Sequence, residues 1–207
     1  MQVTDMAQEQ IKEARKSYHH GDLKGALIRA TQQLIEEKGI DHFSVSDACR
    51  LAGVSTAAPY KHFKSKDEMV VAGVCDAMAR HAAELQADLA PHLKGSQDRI
   101  VAMGANYVDY ALREPGMFRL RFAHFEGEPP EAIQMSGEAI YGLVQEEVRA
   151  YLGEPEINER VRDRAYLLWC VVHGMSYLSM VPEFASKRPL GSPEDYLRRM
   201  SDVVLAR

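Results

Sequence analysis

Long apolar runs are missing from this 207-residue chain: nowhere does it reach the ~20 apolar residues of a membrane span. Cysteine is scarce as well. Cys49, Cys75 and Cys170 stand far apart and form no CxxC pair, which argues against a disulfide framework or a zinc ribbon and fits a reducing cytoplasm. The opening MQVTDMAQEQIKEARK has no apolar centre, so no secretory signal is expected there. HExxH, GxSxG, P-loop and GxGxxG patterns are all absent, so no enzyme, catalytic residue, cofactor or metal is expected. His19-His20 beside Asp22 makes a poor metal site, because adjacent side chains diverge on most backbones.

One absence is local. The chain is acidic, with 25 Lys+Arg against 30 Asp+Glu, yet no acid occurs between Asp47 and Asp67, where Arg50, Lys61, Lys64 and Lys66 stand. Residues 1–66 hold ten basic and eight acidic side chains; residues 67–207 hold fifteen and twenty-two. A mildly basic head on an acidic body suggests that only the head approaches a polyanion.

What is present is helix. Apolar content of 46% and charged content of 27% belong to an ordinary globular protein. Leu23, Leu27, Ala30 and Leu34 recur at helical spacing after a capping Asp22, and Gly39 can end that helix. Ser44-Val45-Ser46-Asp47 has the form of a capping box opening a short helix to Ala52. Gly53-Val54-Ser55 is a turn, and a brief helix is expected over 56–63. Ser65 to Glu68 forms a second box, opening a long helix toward Pro91. Further helices are expected after Ser96, around Phe118, over 131–152, before Pro182 and after Ser192.

Two short helices joined by three residues, the turn opening with Gly53, is the helix-turn-helix layout. Thr56, Ala57 and Ala58 are small and leave the start of the second helix open to a phosphate or a base edge. Pro59 is tolerable because the helix has only begun. Tyr60, Lys61, His62 and Lys64 can all donate to phosphate oxygens, while Thr56, Ala57 and Lys61 alone are placed to read bases. Tyr60 reads as a phosphate contact or as core, His62 as a contact or an ordinary surface group, and Phe63 as core.

The run 43–69, FSVSDACRLAGVSTAAPYKHFKSKDEM, resembles the DNA-binding segment of the TetR family of bacterial transcriptional repressors. The resemblance rests on Ser44, the Gly53-Val54-Ser55 turn, Tyr60-Lys61-His62-Phe63 and Lys66. Trp169 and His173-Gly174, with Pro115 to Leu120, resemble the C-terminal domain of one branch of that family. The resemblance implies an all-α homodimer: an arm over 1–21, a DNA-binding domain over 22–66 and an effector-binding and dimerisation domain over 67–207. It implies phosphate contacts by Ser44, Tyr60, His62 and Lys66 and base contacts by Thr56 and Ala57. Ala57 and Ala58 stand where many members carry a larger polar residue, so DNA shape would supply more of the specificity. The arm, with Lys12, Arg15, Lys16, His19 and His20, reads as a further DNA contact or as a solvated tail.

In the second half, Trp169, His173 and Tyr177 share one helical stripe. Met103, Tyr107 and Tyr110 form another, and Phe118 and Phe122, with Phe125, a third. Such stripes read as core or as the wall of a cavity for a small hydrophobic or aromatic effector. Gly174, in mid-helix, suggests close approach of another helix or a ligand. Apolar faces at 165–175 and 197–204 on the last two helices suggest a two-fold partner. The expected function is a ligand-responsive cytoplasmic regulator, most simply a repressor, binding a near-palindromic operator in double-stranded DNA. The alternative is a helical ligand-binding or protein-interaction module without DNA activity.

Overall fold

The computed structural model describes residues 22–123, 130–185 and 192–206. The arm over 1–21, its His19-His20 pair and Phe125 lie outside them. Among the described residues the structure is all-α, with no strand. Two compact units meet between Gly73 and Val74.

The first unit follows its capping chemistry. Helix α1 (Leu23–Lys38) starts where the Asp22 carboxylate accepts from Gly25 N–H at 2.9 Å. Helix α2 (Val45–Ala52) opens on a complete capping box between Ser44 and Asp47 and ends at Gly53. There φ of 70° and ψ of 32° put the backbone in the left-handed region that favours glycine. Leu27, Leu34, Phe43, Ala48, Phe63 and Met69 are buried and form the unit's core. Gln32, also buried, donates to the Gly73 carbonyl at 2.8 Å.

One element differs from expectation. No α-helix forms over 56–63; a turn leads into a 3-10 helix, Pro59–Lys61. Pro59 has no N–H to bond the Ser55 carbonyl, and Ala58 N–H takes that carbonyl at 3.0 Å instead. Lys61 and His62 continue the tighter pattern, bonding Ala58 and Pro59 carbonyls. Helix α3 (Lys66–Leu89) then begins with Ser65 Oγ accepting from Glu68 N–H. The Glu68 carboxylate reaches back to Lys64 N–H at 2.6 Å.

The second unit takes the rest of α3 and six further described helices: α4 (Gln97–Arg113), α5 (Pro115–Arg121), α6 (Glu131–Leu152), α7 (Glu159–Ser179), α8 (Pro182–Ala185) and α9 (Pro193–Val204). Ser96, Asn158 and Ser192 cap α4, α7 and α9 through their side chains. One apolar cluster joins α4, α6, α7 and α9 through Ile100, Val148, Val161, Ala165 and Val204. Another joins α3, α4 and α6 through Leu85, Leu89, Met103 and Ile140. Glu147, 1% exposed, ties α6 to the start of α4. Its Oε1 lies 2.8 Å from Arg99 Nε, and its Oε2 accepts from Gly95 N–H. Arg99 Nη1 also donates to the Leu89 and His92 carbonyls.

The apolar faces expected to be left for a partner are used inside the protomer: Ala165, Leu168, Leu197 and Val204 are all buried. Helix α7 is apolar on its other side too, where Tyr166, Leu167, Leu178 and Val181, just past its end, remain exposed. Sequence periodicity could not rank two apolar faces of one helix.

Candidate functional site

In the first unit the site-forming segment is held from beneath. Phe63 and Pro59 are buried, so the turn and the 3-10 helix are anchored by one ring on each side of Tyr60. Tyr60 itself is 65% exposed and stands clear of the core. Thr56, Ala57, Lys61 and His62 are exposed as well. They form a continuous, acid-free polar surface with Tyr60. Ser44 is exposed at the start of α2, where its hydroxyl both donates to the Asp47 carboxylate (2.7 Å) and accepts from Asp47 N–H (3.2 Å). These Ser44 side-chain and backbone bonds hold the Asp47 carboxyl below its ordinary value. Arg50 pairs with the same carboxylate at 2.9 Å.

Lys66 is the exception among the expected contacts. It is half-buried, its ammonium donates to the Ile40 carbonyl at 2.6 Å, and it lies 4.3 Å from the centre of the Phe43 ring. That makes it a brace between the start of α3 and the segment before α2. An ammonium has three donors, so the brace leaves capacity for an outside acceptor.

The second unit holds a partly open cavity of ≈350 Å³ among α3, α4, α5, α6, α7 and α9. Of the expected lining, Met103, Tyr107, Phe122 and Trp169 face it. Tyr110, Phe118, His173 and Tyr177 do not line it but pack behind those four. The Trp and His of α7 are joined through α4. Trp169 Nε1–H donates to the Tyr107 oxygen at 3.3 Å, and Tyr107 O–H lies 3.0 Å from His173 Nδ1. Indole nitrogen can only donate, so the Tyr107 oxygen accepts there and its proton is available to His173 Nδ1 in the tautomer that leaves that nitrogen bare. Burial pushes the Tyr107 phenol up to about 12 despite the Trp169 bond, and burial next to the Arg121 charge lowers His173.

Two polar lining residues escaped the sequence reading, His81 on α3 and Arg121 at the end of α5. His81 is 1% exposed and stacks on Tyr110, ring centres 4.3 Å apart. Burial, with the nearby Arg121 charge, lowers its pKa to about 4. The Asn106 side chain lies close enough to oppose this, yet neither imidazole nitrogen completes a hydrogen bond. Arg121 lies over the Phe122 ring, and its Nη1 is sealed from solvent without a partner among the described residues. No spacing rule flags either one, since the packing of α3 and α5 against α4 alone aims them inward.

Comparison with known proteins bears on both units. The sequence model described as "Bacterial regulatory proteins, tetR family" matches residues 27–72. The one described as "Tetracyclin repressor-like, C-terminal domain" matches residues 100–204, half of the chain. The chain belongs to the TetR family. TetR membership makes the first unit a DNA-binding helix-turn-helix domain and the protein a transcription regulator with a ligand-binding domain. No curated protein matches the sequence. Several solved structures share the fold. A Rhodococcus sp. RHA1 protein of unknown function is 24% identical over 91% of this chain and 96% of its own, with a TM-score of 0.76. A TetR/AcrR regulator from Thermobifida fusca YX-ER1 is 18% identical over 90% and 98%, with a TM-score of 0.62. A TetR-family regulator from Streptomyces coelicolor is 12% identical over 87% and 78%, with a TM-score of 0.68. Among the described residues no helix is long and apolar enough to cross a membrane, and no group of His, Cys, Asp or Glu could hold a metal.

Proposed function

We propose that this protein is a one-component repressor that binds a near-palindromic operator as a homodimer and leaves it when a small molecule fills the ≈350 Å³ cavity. The observation that carries the reading is the acid-free exposed surface of Thr56, Ala57, Tyr60, Lys61 and His62 on a TetR-type DNA-binding unit. Thr56 and Ala57 read bases, while Ser44, Tyr60, Lys61, His62 and Lys66 hold phosphates. Met103, Tyr107, Phe122 and Trp169 touch the effector directly; Tyr110, Phe118, His173 and Tyr177 keep those four in place. No chemistry is performed on the effector, and the protein works in the cytoplasm where the DNA is.

Dimerisation uses the exposed side of α7. Leu167, Gly174, Leu178 and Val181 follow helical spacing along it, and a Cβ built on Gly174 meets nothing within 4 Å in its own chain. Operator binding by the two-fold pair requires its two recognition segments to meet successive major grooves, about 34–36 Å apart.

Effector and DNA then oppose each other reciprocally: whatever factor the effector removes from DNA affinity, DNA removes from effector affinity. The test replaces Tyr60→Ala and Lys61→Glu, both exposed, and leaves the Lys66 brace alone. The expected outcome is loss of operator binding with an unchanged melting temperature. Unchanged operator binding would place the DNA contact on another surface, and no sequence-selective binding by the wild type would favour a ligand-binding module without DNA activity.

A further inference from the structure

The cavity is mostly apolar, and two of its polar lining groups, His81 and Arg121, are the informative ones. Arg121 Nη1 has no hydrogen-bond partner among the described residues, and the His81 nitrogens have beside them only the Asn106 side chain, which falls short of a complete bond. Buried donors are rarely left unpaired, because each forfeits its bonds to water. A guanidinium nitrogen sealed away without a partner among the described residues is costlier still. Glu138, the acid lining the cavity, is exposed at its α6 edge and not sealed inside. Around this pair the remaining walls are mostly hydrocarbon and ring: Leu85, Met103, Val144, Leu168, Val172 and Trp169.

We propose that the effector is a monocarboxylate with an elongated apolar body, its carboxylate seated on Arg121 and His81 and its body along the aliphatic and aromatic wall. The inference rests on reading this cavity as the effector site. A planar carboxylate offers acceptors to the guanidinium fork and a second oxygen to an imidazole N–H. One anion charge suffices, since burial keeps His81 neutral and leaves Arg121 as the single cation of the pair. Size agrees with a small acid. At about 30 Å³ of liquid volume per water-sized atom, the cavity takes on the order of a dozen non-hydrogen atoms. Gly137 on α6 leaves room for the guanidinium, since a Cβ there would lie 3.2 Å from Arg121 Nη2. The sequence suggested a neutral lining; the end of α5 supplies the charge that it lacked.

Trp169 is the chain's one tryptophan and lines the cavity, so its fluorescence reports occupancy. The experiment titrates the full-length protein with submillimolar decanoate, 1-decanol and decyltrimethylammonium, which share a chain and differ in head group. Decanoate is expected to bind about tenfold tighter than decanol or better, the scale of a hydrogen bond to a charged group. The cation is expected not to bind. Arg121→Met should bring decanoate to the level of decanol, while Arg121→Lys keeps part of the preference. Arg121→Met should also melt no lower than wild type without ligand, because it removes a guanidinium whose Nη1 is sealed without a partner among the described residues; if it melts early, the Arg121→Lys titration decides. Equal binding of decanoate and decanol, or an unchanged preference in Arg121→Met, overturns the carboxylate while leaving the effector site standing. No response of Trp169 to any of the three overturns both.

Discussion

Gly174→Leu separates the two halves of the proposed assembly. Within the protomer a Leu side chain at 174 finds open space, with nothing within 4 Å of the new Cβ. The backbone there is helical, and replacing Gly by Leu in a helix interior gains about 0.8 kcal/mol. A monomer should therefore become slightly more stable. Against a two-fold partner the effect reverses. Leu167, Gly174, Leu178 and Val181 form one exposed stripe, and the glycine is its lowest point. Packing of that stripe against its copy lets the axes approach most closely at 174. Forcing a large side chain into a packed contact costs roughly 1–3 kcal/mol. Two-fold symmetry inserts it twice, so the dimer should weaken by roughly 2–6 kcal/mol, at least about 30-fold in Kd. Sedimentation across a dilution series reads the dimer, and thermal melting at a concentration where both proteins are monomeric reads the fold. A variant that dimerises like wild type would refute the placement of the interface on α7. A variant that melts below wild type as a monomer would refute the reasoning from open space.

Two further outcomes follow from buried charge. His81, lowered to about 4 from an ordinary 6.5, resists protonation in the folded state while the unfolded chain accepts a proton. Its contribution is present above pH 6.5 and is lost as pH falls toward 4, a loss of about 3 kcal/mol. His173, also lowered, adds in the same direction, so urea denaturation of His81→Phe across this window should show a shallower but not flat pH dependence. Glu147→Ala strands Arg99 and the Gly95 N–H; a loss of about 3 kcal/mol is expected, a drop of roughly 6–12 °C in Tm by calorimetry.

Capping chemistry made most of the helix boundaries legible. Asp22, Ser44, Ser65 and Ser192 announce α1, α2, α3 and α9 because each supplies an oxygen to an otherwise unpaired N–H, a local act that needs no tertiary contact. The turn at Gly53 was legible as a local signal too, whereas the sequence left Tyr60 open between phosphate contact and core, and packing exposes it. What was hidden depends on which surfaces meet. The brace from Lys66 to Ile40 spans twenty-six residues. Arg121 sits at the end of a seven-residue helix, and nothing local tells an exposed guanidinium from one aimed into a cavity. The sequence offered the aromatic stripes undivided as core or cavity wall, and packing divides them: the α4 and α7 stripes each present one ring to the cavity, Tyr107 and Trp169, and turn the next away. The 3-10 form of the recognition segment was predictable in principle, since Pro59 removes the one donor that an α-turn from Ser55 requires.

The central claim is that the surface around Tyr60 meets operator DNA as half of a two-fold pair. Selection of binding sites from a random duplex pool, with affinity of the winning sequence followed against salt, tests it most directly. The account predicts a near-palindromic winner whose half-sites lie about one helical turn apart, with log K falling steeply and linearly as log salt rises. A pool that yields no preferred sequence, bound weakly by wild type and by Tyr60→Ala alike, would contradict it.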